Sequence, residues 1–551
     1  MDSKMATNKD VEATTSNEEL GTVVTDPNGA LNRSLKERHV QFIAVGGTIG
    51  TGLFLGIGSA LATSGPLSLW LGYSFTSVAI WCMVSLLNAA LLIDVLLQSH
   101  EQMQCLGEMA SLLPLPGMVA QMGSRFVDPA FGFAIGWNQW YNCAIAICAE
   151  TSAAVVLIRF WTDINPAVWI TVILAVVILL NVIAVGIYGE AEFVFAAIKI
   201  ITIIGLLIMT LCLDLGGGPS HDRIGFRYWK HPGPMNAYIA KGSAGRFLGL
   251  FNTLINAAFA FGGAEQVAVA AGETKNPTSN IPKAVRRVVW RLLVFFCLGS
   301  FAVGLLVPSN NDNLLYGSGI AQSPWIIAIR TAGIPALPHI VNAVIITSAT
   351  SSANALLYAG SRYLYALSLQ GQAPKFLRKC TERGVPIYCV GVTASISLLT
   401  YMTVSSGGSN IFHWFSSIVT IAYLLTWFSI CIAYTRFRRA LLLQNINRDT
   451  LPFKSPFQPH LAWGATVFFG IVLIFNGFPV FTRGNWNVHD FISAYVGIPI
   501  FIALYTFWKI VKKTKIVPIQ DIDLWTGRVV AVDECTTTDK TFLQKVSSKI
   551  F

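Results

Sequence analysis

The chain has 551 residues, 54% of them hydrophobic and only 12% charged. Soluble domains carry about 25% charged residues, so an ordinary soluble protein is excluded. The net charge of +10 sits mostly in short stretches between long apolar runs, which marks membrane topology rather than affinity for nucleic acid.

Residues 1–38 are rich in Thr, Asn, Ser and Glu and lack an apolar core. They read as a disordered cytoplasmic arm with no cleavable signal peptide. A membrane span needs about 20 mostly apolar residues. Twelve windows qualify, near 40–63, 66–84, 130–157, 167–187, 191–213, 247–270, 285–307, 335–357, 387–405, 411–434, 461–481 and 488–511. The sequence thus predicts an all-α membrane protein of twelve transmembrane helices in one domain, 39–512, followed by a polar cytoplasmic tail, 513–551.

One segment strains that count. From Pro66 through Gln98 the chain is apolar apart from Asp94. At 1.5 Å per residue these 33 or so residues make about 50 Å of helix, too long for one span and too short for two. Removing 85–103 joins Trp81-Cys82-Met83-Val84 to Gln104-Cys105-Leu106-Gly107-Glu108-Met109 and restores one span running into a short inner loop. Residues 85–103 therefore read as an atypical insert, either a retained intron or alternative exon, or a helical extension projecting from the membrane.

Basic residues fix the orientation. Arg33, Lys36 and Arg38 precede the first span, and Lys275, Lys283, Arg286, Arg287 and Arg291 follow the sixth. Further groups follow the eighth (Lys375, Arg378, Lys379, Arg383), the tenth (Arg436, Arg438, Arg439) and the twelfth (Lys509, Lys512, Lys513, Lys515). With twelve spans all of these share one side, so that side and both termini are expected to be cytoplasmic. The loop 214–246 disagrees, carrying Arg223, Arg227, Lys230, Lys241 and Arg246 on the outer side. The ten cysteines show no regular spacing and read as small packing residues, with no disulfide framework, metal site or cofactor expected.

Two spans are interrupted. The first contains Gly46-Gly47-Thr48-Ile49-Gly50-Thr51-Gly52, with further glycines at 56 and 58; the sixth contains Phe261-Gly262-Gly263-Ala264-Glu265. Each helical glycine costs about 1 kcal/mol against alanine, and unwound backbone at membrane depth is tolerated only where it lines a cavity or is buried in protein. Breaks five spans apart fit two five-helix repeats and point to a transporter's binding site. Freed N–H groups of the first break would hold a carboxylate, and freed carbonyls of the second an ammonium, with the Phe261 ring closing over the ligand. Close helix packing through small residues, and an ordinary core aromatic at Phe261, are the plainer readings.

Three ionisable residues stand out inside spans. Glu265 and Glu150, the latter in Cys148-Ala149-Glu150-Thr151, are functional candidates because an intramembrane carboxylate is costly; a neutral, hydrogen-bonded structural glutamate is the alternative. Lys199, in Ala196-Ala197-Ile198-Lys199-Ile200, can lose and regain a proton if buried, which suits proton coupling, or can snorkel to the interface. Glu190 and Glu192 read as cap or loop residues at the inner start of the fifth span, as do Glu273, Asn276, Pro277 and Pro282 after the sixth. No phosphate-binding loop of the Walker type occurs, which disfavours a nucleotide-driven pump.

As a set, several motifs are similar to those of fungal plasma-membrane amino acid permeases, in the yeast amino acid transporter group of the amino acid–polyamine–organocation superfamily. They are Arg38-His39-Val40 with the first break, Leu106-Gly107-Glu108-Met109, Tyr188-Gly189-Glu190-Ala191-Glu192-Phe193, Ala271-Gly272-Glu273-Thr274-Lys275-Asn276-Pro277, Ser361-Arg362-Tyr363-Leu364-Tyr365-Ala366-Leu367 and Gly371-Gln372-Ala373-Pro374. The resemblance covers roughly 35–515 and implies a five-plus-five inverted repeat with discontinuous helices 1 and 6, and proton-coupled uptake of L-amino acids across the plasma membrane by alternating access. It places Lys199 where related carriers put a lysine in the space of a sodium ion. The chain departs from the family at Ala264, where many members have threonine, and at 85–103.

The substrate-binding set is therefore Gly46, Gly47, Thr48, Ile49, Gly50, Thr51, Gly52, Phe261, Gly262, Gly263, Ala264 and Glu265, and the proton-coupling set is Lys199 and Glu150. The expected partners are an L-amino acid, protons and the lipid bilayer, with no nucleic acid and no enzymatic activity. An amino acid sensor of the same fold, or a polyamine or other amine carrier, are the competing functions. A sensor would be expected to carry a longer signalling extension than these tails.

Overall fold

The computed structural model describes residues 47–82, 109, 117–183, 185–219, 221–266, 293–316, 323–405, 408–446 and 459–526. Gly46, the arm 1–38, the segment 85–103, the stretch 273–282 and the tail beyond 526 lie outside the described residues. The described residues are helical, without strands.

Each of the twelve expected windows holds a helix or a broken pair of helices. Seven are long and apolar enough to cross a bilayer by themselves, from Pro129–Ile158 to Asn410–Leu443, and an eighth is the pair Val488–Tyr495 and Gly497–Lys512, bent by 45°. Shorter apolar helices, Gly52–Ser64, Leu293–Leu306 and His460–Ile474, fall in the first, seventh and eleventh windows, and Pro66–Cys82 fills the second.

Helix ends follow local chemistry. Asp128 caps the third span by accepting from Ala130 N at 2.9 Å, with Pro129 at the first helical position, a pairing of acceptor and fixed φ that starts helices. The same carboxylate pairs with the Lys509 ammonium, tying the start of the third span to the end of the twelfth. Gly65, at φ +81°, separates the first span from Pro66 at the start of the second, a backbone conformation glycine adopts without steric penalty.

Burial ranks the helices. The third, eighth and tenth spans are 78%, 67% and 72% buried, whereas the fourth and fifth are 28% buried. The first group forms the protein-facing centre and the second turns a broad apolar face outward, as lipid contact requires. The loop 214–246 folds back over the junction of the first two spans: Leu67 N donates to Pro234 O at 2.8 Å and Asn236 N to Ser64 O at 2.9 Å. Within it Arg227 forks onto Asp222 through two 2.7 Å bonds, and that guanidinium holds the exposed Asp222 carboxyl below the usual carboxylate range. This pairing offsets part of the loop's basic charge.

Candidate functional site

Both breaks occur where the glycines place them, and they touch. In the first span the chain forms bends at Ile49 and Gly50, then a π-helical turn over Gly52–Gly56. In the sixth the helix Gly242–Ala260 ends at a turn through Phe261–Gly263, with Gly263 at φ +91°. A Cβ built on Gly52 would stand 2.6 Å from Ala260 Cα, so the backbones of the two spans approach as only glycine permits.

Unwound backbone must find partners, and side chains from three other spans and from the short helix Pro324–Thr331 with its N-cap Ser323 supply them. Ser352 and Ser348, one turn apart on the eighth span, donate to Gly47 O at 3.3 Å and Ile49 O at 3.0 Å. Ser323 Oγ donates to Phe54 O at 3.0 Å, Trp325 Nε1 to Leu53 O at 3.3 Å and Asn256 Nδ2 to Gly56 O at 3.0 Å. The Thr51 N–H reaches both oxygens of Glu150, at 3.3 and 3.2 Å. The first break thus already holds a protein carboxyl group where a substrate carboxylate was expected, and a Cβ on Gly50 would collide with it.

Around this junction lies a small cavity of about 20 Å³. The first-break residues Gly47, Thr48, Gly50 and Gly52, the second-break residue Gly262, and Glu150 and Ser352 line it. Its apolar walls are Ala146, Phe259, Ala260, Leu356 and Val419, with Tyr423. Tyr423 of the tenth span presses its ring against the face Gly262 leaves open. One turn on, Trp427 Nε1 donates to Glu265 Oε2 at 3.0 Å, with Glu265 and Trp427 both buried. Glu265 is therefore anchored to the tenth span.

Phe261 is fully buried, its ring centroid 4.2 Å from Phe296 and 6.2 Å from Tyr73. It packs in an aromatic cluster and does not line the cavity. Ala264 is buried and likewise outside the lining.

Lys199 is buried, 1% exposed, and lies two helical turns beyond Glu192 on the same span. Glu192 is not the cap residue its position suggests. The fifth span begins at Val185, so Glu192 lies within the helix and is fully buried. It accepts from Ser351 Oγ at 2.8 Å and Asn354 Nδ2 at 3.3 Å on the eighth span, and Asn354 Oδ1 in turn accepts from Asn181 at 2.9 Å. Glu190, two residues earlier, is exposed. Two carboxylates and one ammonium thus share a buried region beside the first break.

An all-helical membrane protein whose two interrupted spans meet at a small, mixed polar and apolar cavity has the organisation of a secondary transporter. The chain belongs to the amino acid permease family, whose model matches residues 39–93 and 99–520; the match breaks within the atypical segment 85–103. It is 42% identical over 514 residues to the proline-specific permease of Saccharomyces cerevisiae, covering 91% of this chain and 79% of that protein. Over 508 residues it is 40% identical to the proline-specific permease of Emericella nidulans, covering 91% of this chain and 89% of that one. The dicarboxylic amino acid permease of Saccharomyces cerevisiae is 36% identical over 510 residues, with 91% and 81% covered. The chain is accordingly a multi-pass amino acid permease and not an enzyme.

Proposed function

We propose that this permease imports L-amino acids with protons across the fungal plasma membrane, both termini cytoplasmic, and that its substrates are neutral, with L-proline the first to test. The carrying observation is the Glu150 carboxylate on the Thr51 N–H. A substrate carboxylate seeking the same donor must displace it. A proton reaching Glu150 removes its charge and weakens its hold, since a charge-assisted hydrogen bond is roughly twice as strong as a neutral one. Proton arrival then opens the first break to the substrate.

The charge balance supports the same reading. Fully ionised, Glu150, Glu192 and Lys199 sum to −1, and a buried cluster in low dielectric reaches neutrality by holding one more proton. The preference for a neutral side chain rests on the apolar walls Ala146, Phe259, Leu356 and Val419, and on the relatives named proline-specific.

Uptake of a radiolabelled panel in permease-deficient yeast, at about pH 5 and about pH 7.5, tests this. Chains with and without 85–103 are run side by side. The expected result is acid-stimulated uptake of L-proline and other neutral amino acids by the shortened form. Uptake by that form alone identifies 85–103 as foreign to the working protein, and equal uptake by both makes it a tolerated extension. Silence from both with protein at the surface overturns the transport reading in favour of a sensor, and uptake of polyamines in place of amino acids overturns the substrate class.

Glu150→Gln separates coupling from binding. The variant should retain exchange of internal for external substrate, lose the dependence of KM on external pH, and lose uphill accumulation. An unchanged pH dependence of KM would remove Glu150 from the mechanism.

A further inference from the structure

Gln266 follows the second break directly, and its N–H closes the turn onto Gly263 O at 3.0 Å. Its side chain is 1% exposed, yet among the described residues neither Oε1 nor Nε2 has a hydrogen-bond partner. The carboxamide lies between the two breaks. Oε1 packs where a Cβ on Gly47 would stand, and Nε2 is 3.2 Å from a Cβ built on Gly263, with Gly47 O at the same 3.2 Å. Gly47 lines the cavity and Gln266 stands directly behind it, outside the lining, so the substrate must part the two breaks to reach the carboxamide.

A buried donor and a buried acceptor left unpaired each destabilise the fold. An apolar side chain of similar size would satisfy the fold better at this point. The neighbouring polar groups are already engaged: Glu265 by Trp427, Gly47 O by Ser352, and Glu150 by Thr51 N. Gln266 presents both a donor and an acceptor unused where the two broken helices meet, with the Thr51 hydroxyl as a second unpartnered group at the first break.

We propose that Gln266 is a substrate-pairing residue, its carboxamide completing the recognition of an amino acid zwitterion with Nε2 donating to the α-carboxylate and Oε1 accepting from the α-ammonium. This rests on the amino acid permease reading above and extends it to a residue outside the two glycine motifs. A neutral amide matches both α-groups without adding charge to a region that already holds Glu150, Glu265, Glu192 and Lys199. The secondary ammonium of an imino acid, with two N–H groups, can still donate one to Oε1.

The test uses the full-length protein purified in lipid nanodiscs, with L-proline as the probe if the uptake panel returns it and otherwise the best substrate of that panel. Gln266→Leu should weaken equilibrium binding by about tenfold or more, while raising the melting temperature of the ligand-free protein because an unsatisfied buried polar group is gone. Gln266→Glu keeps an acceptor but opposes the substrate carboxylate, and should weaken binding further. A residue with only a structural role gives the opposite pattern, a lower ligand-free melting temperature with unchanged affinity, and that result overturns the proposal. So does unchanged affinity with altered turnover, which would make Gln266 a hinge element. Wild-type protein that binds no amino acid would instead overturn the permease substrate reading itself, since there would be no affinity for the variants to lose.

Discussion

Lys199→Ala is expected to abolish uphill transport while leaving the protein at the surface. A pH difference of one unit is worth about 1.36 kcal/mol per proton, a tenfold concentration ratio. Proteoliposomes with a two-unit gradient and one proton per substrate should therefore accumulate substrate about 100-fold through the wild-type chain, and not at all through the variant. The reason is electrostatic. Lys199 is the buried basic residue of the region that holds Glu192 and Glu150; without it two buried carboxyl groups remain with no counter-charge, which favours the neutral acid. The cluster then has no charged state to return to after releasing substrate. Counterflow, which needs binding and reorientation but no net proton movement, should persist at reduced rate. Removing one partner of a buried ion pair costs about 3–5 kcal/mol, so surface abundance is measured alongside, with Lys199→Met as a second variant that keeps most of the volume. Normal accumulation in either variant would refute the coupling role.

The parts of this site that rest on backbone demands were legible in the sequence. Clustered glycines inside apolar spans can be read without partners, because only a broken helix at membrane depth needs them, and Gly50, Gly52 and Gly263 all meet a close approach or a positive φ. Intramembrane Glu150, Lys199 and Glu265 stood out through the cost of burying charge. Partners on other spans did not stand out, because side-chain direction decides them. Glu192 resembles a cap when the span is bounded by hydropathy, since Tyr188-Gly189-Glu190 before it dilutes the apolar window, whereas the helix starts at Val185. The run Thr347-Ser348-Ala349-Thr350-Ser351-Ser352 carried a usable signal: small hydroxyls one turn apart in a span are suited to satisfying another helix's broken backbone, and Ser348 and Ser352 do so. Tyr423 and Trp427 have the same i, i+4 spacing but look like ordinary core aromatics. Phe261 went the other way. Its position in the motif suggested a ligand cover, while Tyr73 and Phe296, distant in sequence, enclose its ring.

The contact between the two breaks carries the second large effect. Gly52→Ala places a methyl 2.6 Å from Ala260 Cα and 3.0 Å from its Cβ. The obstacle is backbone of the sixth span, which cannot rotate aside as a side chain would, so the two broken helices must separate. Overpacking of this kind costs about 1–3 kcal/mol, and here the strain falls on the walls of the cavity itself. Uptake should fall at least about tenfold, with a further loss for Gly52→Val. Gly50→Ala meets the Glu150 carboxylate and Ser352 Oγ, side-chain atoms able to shift, and should lose less. Gly56 is the internal comparison. It ends the same π-helical turn, but the nearest atom to its built Cβ is Phe259 Cδ1 at 4.0 Å. Gly56→Ala should transport near the wild-type rate and gain stability, since glycine in a helix costs about 0.5–1 kcal/mol against alanine. If all three variants fail equally, the first break works through backbone freedom and not through close approach. If Gly52→Ala transports normally, the packing of Gly52 on Ala260 has no part in the transport cycle. Loss graded from Gly52 through Gly50 to Gly56 is the outcome the geometry requires.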